Sequence, residues 1–204
     1  VFCGKLIIVI KLAVPKKLPE NKLESIGISK GTNEGHLKLW QGYAEKNNTI
    51  VDDLNKIKDL KKVNSTYSDV RNQKMGQTFA YGGFINHQVF FNHLNGDGKP
   101  TKEFLTLIKD PYDNFKNFIN DLKATALSSR GWAYIAYCYT HEQIINVIGD
   151  AQNTFPIWGC DLIGAIDMYE HSYFADFGTD KEKYIDGVLS IMDWDQVVQN
   201  IKRD

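Results

Sequence analysis

Cysteine is scarce and unpatterned in this chain of 204 residues. Cys3, Cys138 and Cys160 form no C-x-x-C pair and no even set, which argues against a zinc knuckle or a disulfide framework. They read as small buried thiols, a usage that fits a reducing compartment. A charge excess of either sign is also missing. The formal net charge is −1, so nothing in the charge suggests a nucleic-acid partner. No internal repeat and no low-complexity segment interrupts the chain. The apolar stretch Leu6 to Ile10 is stopped by Lys11 and is too short to span a bilayer, so no membrane span is expected.

What is present is ordinary globular material. Apolar residues make up 43% and charged residues 24%, and the length suffices for one domain or two small ones with a real core. Residues 1–13 are set aside as an N-terminal extension of uncertain role. Because the chain begins at Val, this apolar start reads as the remnant of a signal segment, as an added edge segment or as a gene-start artefact. A cytoplasmic protein is the first expectation, with secretion or an organelle left open by that stretch.

Pro15 and Pro19 lie in a polar lead-in. Ser29 or Thr32 then stands where a helix N-cap belongs, and His36, Leu39, Trp40 and Tyr43 recur at three- and four-residue spacing. Ile50, Leu54, Ile57 and Leu60 extend that helical pattern through a charged stretch. A second helical stretch covers about 66–94, with Phe79, Phe84, His87, Phe90 and Phe91. Gly82-Gly83 sits inside it, where each glycine weakens a helix by about 1 kcal/mol relative to Ala, so close approach by another group is the expected return. Asn95-Gly96-Asp97-Gly98-Lys99-Pro100 breaks the pattern. We expect a helical hairpin domain over 14–95 and an α/β domain over 96–204. The second holds helices near 101–109 and 111–127. It also holds strands from Trp132 to Tyr139, Ile144 to Ile148 and Ile157 to Ile166, then helices near 179–191 and 194–202.

Asp167 and His171 stand four apart where the third strand gives way to a helix. Both are good ligands for a transition metal such as Mn or Fe. His36 and His87 lie on the two hairpin helices, each among aromatics. If those helices run antiparallel, both imidazoles can face one point. The set then comprises three neutral imidazoles and one carboxylate, with room for solvent.

These residues carry a resemblance to the iron/manganese superoxide dismutases. Asp167-Met168-Tyr169-Glu170-His171-Ser172-Tyr173 resembles the family's D-x-W-E-H-A-Y. Gly82-Gly83-Phe84-Ile85-Asn86-His87 with Phe90-Phe91 is similar to its G-G-x-x-N-H-x-x-F-W. Gly131-Trp132-Ala133-Tyr134 and Met192-Asp193-Trp194-Asp195 resemble its G-W-x-W and its closing x-N-W-E. The resemblance runs from about Leu18 to the end. It implies an α+β fold, with an N-terminal antiparallel helical hairpin followed by an α/β domain whose three-stranded antiparallel sheet is surrounded by helices. It also implies a ping-pong conversion of superoxide anion to dioxygen and hydrogen peroxide at one Mn or Fe ion per subunit, held by His36, His87, Asp167 and His171.

The same resemblance assigns the neighbours. Gln152 takes the place of the Gln that hydrogen-bonds the metal-bound solvent, and Tyr43 continues the proton path from it. Gly83 is expected to leave the void that the Gln152 amide fills. Trp132 walls the site, and Tyr169 stands where the family has Trp. Glu170 implies a homodimer, reaching across a two-fold axis to the ligand His of the other subunit, so Glu170, His171 and Phe174 are expected at the dimer interface. Lys181 replaces a channel-rim Arg and still attracts an anion. Ala165 sits where residue size varies with metal preference, between the Gly common in manganese members and the bulkier residues of iron ones; manganese is the first expectation, with iron or dual use open.

Two departures stand out. The family spaces the first ligand His and the Tyr eight apart, whereas His36 and Tyr43 are seven apart. Residues i and i+7 differ by only about 20° around a helix and i and i+8 by about 80°, so a π-bulge is not needed here and regular α-helix is expected. The gateway His of the family is Leu39 or Trp40, and its Tyr partner is Phe174, so an apolar gateway replaces a polar pair. The alternatives to an active dismutase are a non-catalytic structural or metal-binding protein of the same fold, and a metal-storing or peroxide-generating relative.

Overall fold

The computed structural model describes residues 11–13, 18, 22–155 and 157–201. Cys3, most of the N-terminal extension and Pro15 and Pro19 of the lead-in fall outside the described residues. Helix α1 runs from Lys30 to Lys56. Ser29 rather than Thr32 is its N-cap, its side chain accepting from the Thr32 N–H at 3.3 Å. His36, Trp40, Ala44, Asn47, Val51 and Leu54 form its buried stripe, at the three- and four-residue steps of one helix face. The helix is regular α throughout, with no π turn between His36 and Tyr43.

Helix α2, Asp69–Asn92, starts on the Ser68 cap. A Cβ at Gly76 would meet Ile50, one at Gly83 would meet Tyr43, and the His87 ring meets His36. Positions rise along α2 as they fall along α1, so the pair is an antiparallel hairpin. Helices α3, Lys102–Tyr112, and α4, Phe115–Ser128, follow. The expected break at residue 110 falls later, since α3 runs through Pro111 to Tyr112. The chain turns at Asp113, φ 68°, and Asn114 caps α4 by accepting from the Asn117 N–H.

Strands β1, Trp132–Cys138, β2, Gln143–Gly149, and β3, Cys160–Asp167, form an antiparallel sheet in the order β2-β1-β3. Ile135 pairs with Gly164 and Ala136 with Leu162, so Ile163 is an extra residue in β3. Such a bulge re-aims the strand end beyond it, here the end carrying Asp167. The outer edge of β3 is not left bare. His93 Nε2 lies 2.9 Å from Ala165 O and 3.1 Å from Ala165 N, and Asn200 Nδ2 donates to Ile163 O. Helices α5, Glu170–Phe177, α6, Lys181–Ser190, and α7, Trp194–Gln199, close the chain.

One core cluster joins the hairpin to the sheet, with Trp40, Phe84, Phe90 and Phe91 on one side and Trp132, Ile135, Ile166 and Met168 on the other. Cys138 and Cys160 depart from the expectation of buried thiols. Both are partly exposed and free, and they are register partners across β1 and β3.

Candidate metal centre

Four elements each deliver one side chain to a single point. His36 comes from α1, His87 from α2, Asp167 from the last position of β3 and His171 from the first turn of α5. One potential ligand atom from each lies within 4.8 Å of all the others. Asp167 Oδ2 is the hub, 3.1 Å from His36 Nε2, 3.1 Å from His171 Nε2 and 3.6 Å from His87 Nε2. The β3–α5 junction aims that oxygen. The Tyr169 N–H donates to Oδ1 at 2.9 Å, while Ser172 and Tyr184 hydroxyls donate to the Asp167 carbonyl at 2.8 Å each.

Burial and charge set the protonation states. His87 is wholly buried, and loss of solvent, with His36 nearby, brings its pKa down to about 3. Burial also lowers His36, against the pull of Asp167. For His171 burial works downward too, but the hydrogen bond and charge of Asp167 outweigh it and the net direction is up. Asp167 shows the reverse balance. Burial raises it, and hydrogen bonds from His171 and His36 overcome that and hold it well below the usual carboxylate range.

The donor set fits a transition metal on one further observation. His87 Nδ1 lies 2.6 Å from Gly83 O and donates there, which leaves the Nε2 lone pair aimed at the cluster. That buried Nε2 has no hydrogen-bond partner. Three imidazole nitrogens and an anionic carboxylate, one nitrogen orphaned, make a set suited to Mn or Fe.

An amide stands beside the cluster. Gln152 is 1% exposed. Its Oε1 accepts from Trp132 Nε1 at 3.0 Å and from Asn86 Nδ2 at 3.2 Å. Two donors on the oxygen fix the amide's orientation, so Nε2 faces Tyr43 Oη at 3.2 Å. Burial raises the Tyr43 hydroxyl, helped by the Asp167 charge and opposed by the Gln152 bond. The wall is aromatic: Phe91 lies 4.8 Å from His36 and Trp132 5.1 Å from His87. A shallow cleft of about 430 Å³ reaches His36 and His171 from outside, with Leu39 and Ala175 on its rim.

A family model described as iron/manganese superoxide dismutases, C-terminal domain, matches residues 100–200. The chain is 31% identical over 199 residues to an iron superoxide dismutase of Aquifex pyrophilus, covering 95% of this chain and 92% of that protein. It is 31% identical over 183 residues to an iron superoxide dismutase of Aquifex aeolicus, with 87% and 85% covered. A manganese superoxide dismutase of Haloarcula marismortui is 29% identical over 123 residues, covering 59% of this chain and 61% of that protein. The chain belongs to the iron/manganese superoxide dismutase family.

Against the family pattern, Gly83 needs a correction. A Cβ there would stand 2.7 Å from the Tyr43 ring, so the notch holds Tyr43 and not the Gln152 amide. Gly82 is the residue that admits Gln152, since a Cβ there would stand 2.0 Å from the Gln152 carbonyl oxygen. Tyr169 stacks on His171 at 5.5 Å and meets Trp132 edge-on at 6.4 Å. Of the two gateway residues, Trp40 is buried between Phe84 and Phe91, whereas Leu39 stays at the rim. Phe174 is half exposed and Glu170 exposed, both on α5. Lys181 Nζ lies 5.8 Å from the Tyr173 ring centroid. Ala165 is fully buried in the core, and its backbone N–H and carbonyl face His93 Nε2.

Three supporting residues were missed from sequence. Asn86 holds Gln152 by both its side-chain oxygen and its carbonyl, and its place beside His87 was the available signal. Tyr184 and His93 act on the backbone of β3 from distant helices, and nothing local in the sequence marks them.

Proposed function

We propose that this protein dismutes superoxide, with His36, His87, Asp167 and His171 holding the ion and Gln152 and Tyr43 serving the proton path. The supporting observation is the meeting of three imidazole nitrogens around one buried carboxylate oxygen. A manganese or iron ion bound there supplies the one-electron oxidation and reduction that turn two superoxide anions into dioxygen and hydrogen peroxide.

The chain's own residues do the rest. Asp167 contributes a full negative charge in a buried site, which balances part of an ion's charge where solvent cannot. Trp132, Phe90 and Phe91 keep the surroundings apolar, so the electric field of each polar group is weakly screened. Peroxide formation consumes two protons. Gln152 Nε2 has two hydrogens, and only one is directed at Tyr43 Oη. The other is free to orient a bound group in the site, with the Tyr43 hydroxyl next in line toward solvent. Trp132 and Asn86 prevent the amide from turning over, which keeps the donor end facing the chemistry.

Glu170, Phe174 and the open edge of His171 share one exposed face, which supports a homodimer formed through α5. Lys181 is the proposed attractant for the anion. Among the described residues no helix is long and apolar enough to cross a membrane.

The test is direct. Purified protein loaded separately with manganese and with iron is assayed for metal content and for superoxide consumption. Close to one ion per chain and consumption with at least one metal are expected. Failure to bind either ion, with the fold intact, would overturn the reading.

A further inference from the structure

At the end of the sheet away from the metal cluster, β1 and β3 place two thiols opposite each other. Cys138 is the last residue of β1 and Cys160 the first of β3, and they are register partners. The Tyr139 N–H donates to Gly159 O at 2.9 Å, the bond that flanks a non-hydrogen-bonded pair one residue further in. The next pair inward, Cys138 and Cys160, is therefore of the non-hydrogen-bonded kind. The Cys160 N–H bonds Ile157 O instead. Side chains at such pairs approach most closely, with Cα atoms about 4.5 Å apart, inside the roughly 4.4–6.8 Å range of disulfides. The Cys160 thiol is turned toward Trp158 O at 3.9 Å, and both thiols are free and partly exposed.

We propose that Cys138 and Cys160 form a peroxide-sensitive dithiol, which hydrogen peroxide closes into a cross-strand disulfide and a small thiol reopens. The two sulfurs are not equivalent. The His141 N–H points at Cys138 Sγ from the β1–β2 turn, with the Thr140 N–H and hydroxyl beside it, which lowers the Cys138 pKa. Burial and the neighbouring Cys138 raise that of Cys160. Cys138 is thus the attacking sulfur and Cys160 the resolving one.

In the first step the Cys138 thiolate attacks one peroxide oxygen. An S–O bond forms, the O–O bond breaks, and hydroxide leaves to be protonated to water. In the second step Cys160 attacks the Cys138 sulfur. The S–S bond forms, the S–O bond breaks, and the hydroxyl leaves as water with the Cys160 proton. Two thiols and one peroxide give one disulfide and two waters, the sulfurs losing the two electrons that peroxide gains. The step requires only hydrogen peroxide, whatever its source. It therefore stands or falls separately from the dismutase reading, which would make the same molecule a supplier of its own oxidant.

The experiment uses the full chain, reduced with dithiothreitol and freed of reductant, then exposed to hydrogen peroxide and alkylated. The expected result is loss of two of the three thiols. Peptide mass spectrometry should show Cys138 joined to Cys160 and Cys3 alkylated, with all three thiols restored by dithiothreitol. Cys160→Ser should trap Cys138 as a sulfenic acid that dimedone labels. Cys138→Ser should slow the oxidation of Cys160 by about tenfold or more. A bridge to Cys3, or Cys138 and Cys160 both still alkylated after peroxide treatment, would overturn the proposal in the unmutated chain.

Discussion

The ring of Tyr43 lies in the notch that Gly83 leaves in α2, so close that a Cβ at residue 83 would stand 2.7 to 2.8 Å from three of its ring carbons. The seven-residue step from His36 to Tyr43 brings the ring onto this side of α1 without a bulge. A glycine on the facing helix then lets it reach the Gln152 amide. Helix regularity in α1 and the missing side chain in α2 are two halves of one arrangement.

Gly83→Ala tests it. The ring must shift, and overpacking of this kind destabilises by about 1–3 kcal/mol. The shift also breaks the 3.2 Å Tyr43–Gln152 hydrogen bond. We expect a lowered melting temperature together with a loss of superoxide consumption larger than any loss of bound metal. Gly83→Ala with Tyr43→Phe should be no less active than Gly83→Ala alone, since the bond at stake is already absent.

Gln152→Ala removes the common partner of three groups. Trp132 Nε1 loses the acceptor it has in Gln152 Oε1, and Asn86 Nδ2 keeps only the Gln152 carbonyl. Leaving a buried donor unsatisfied costs about 1–3 kcal/mol, so denaturant unfolding should register a loss of that order. Gln152→Glu retains an acceptor for Trp132 and should recover part of the stability. It should not recover the activity, because the amide donor toward Tyr43 is gone. Equal recovery of both would mean that Gln152 has only a structural part.

The fold was legible where periodicity was strong. The stripe from His36 to Leu54, the aromatic run of β1 and the glycine-rich break near residue 96 each follow a local rule. The metal cluster was legible because its residue types are unusual in apolar surroundings. What could not be read depends on contacts between distant segments. Gly82 and Gly83 look alike in sequence, yet one admits the backbone of a loop and the other a ring. Cys138 and Cys160 are 22 positions apart, and only the strand register, counted through the Ile163 bulge, puts them opposite each other. His93 has no signal because its partner is the backbone of an edge strand.

Asp167→Asn separates charge from shape. The amide can still accept from the Tyr169 N–H, but the anion that three imidazoles surround is gone. Loss of an outer hydrogen-bonding partner weakens metal binding by about 10–100-fold, and loss of a direct anionic ligand should exceed that. Metal content after dialysis should fall accordingly. Chelation of the unmutated protein should lower its melting temperature, since an ion at 1,000 times its dissociation constant stabilises the folded state by about 4 kcal/mol. The Asn variant should show little further change on chelation.

His93 sets an acid limit on stability. It is fully buried against the edge of β3, and burial brings its pKa from the ordinary 6.5 to about 4, opposed by the hydrogen bond to Ala165. The unfolded chain therefore takes up a proton at this residue before the folded chain does. Its neutral form is fully tolerated above pH 6.5, and stability drains away as pH falls from there toward 4. A gap of that size corresponds to about 3 kcal/mol over the interval. His93→Gln can offer an amide to the same β3 edge but does not titrate. Its unfolding free energy should be lower than that of the unmutated chain at neutral pH and should decline less steeply between pH 6.5 and 4. The other buried imidazoles remain in both proteins, so the difference between the two slopes isolates His93. Parallel slopes in denaturant titrations across that range would show that the ring is not held neutral by its burial.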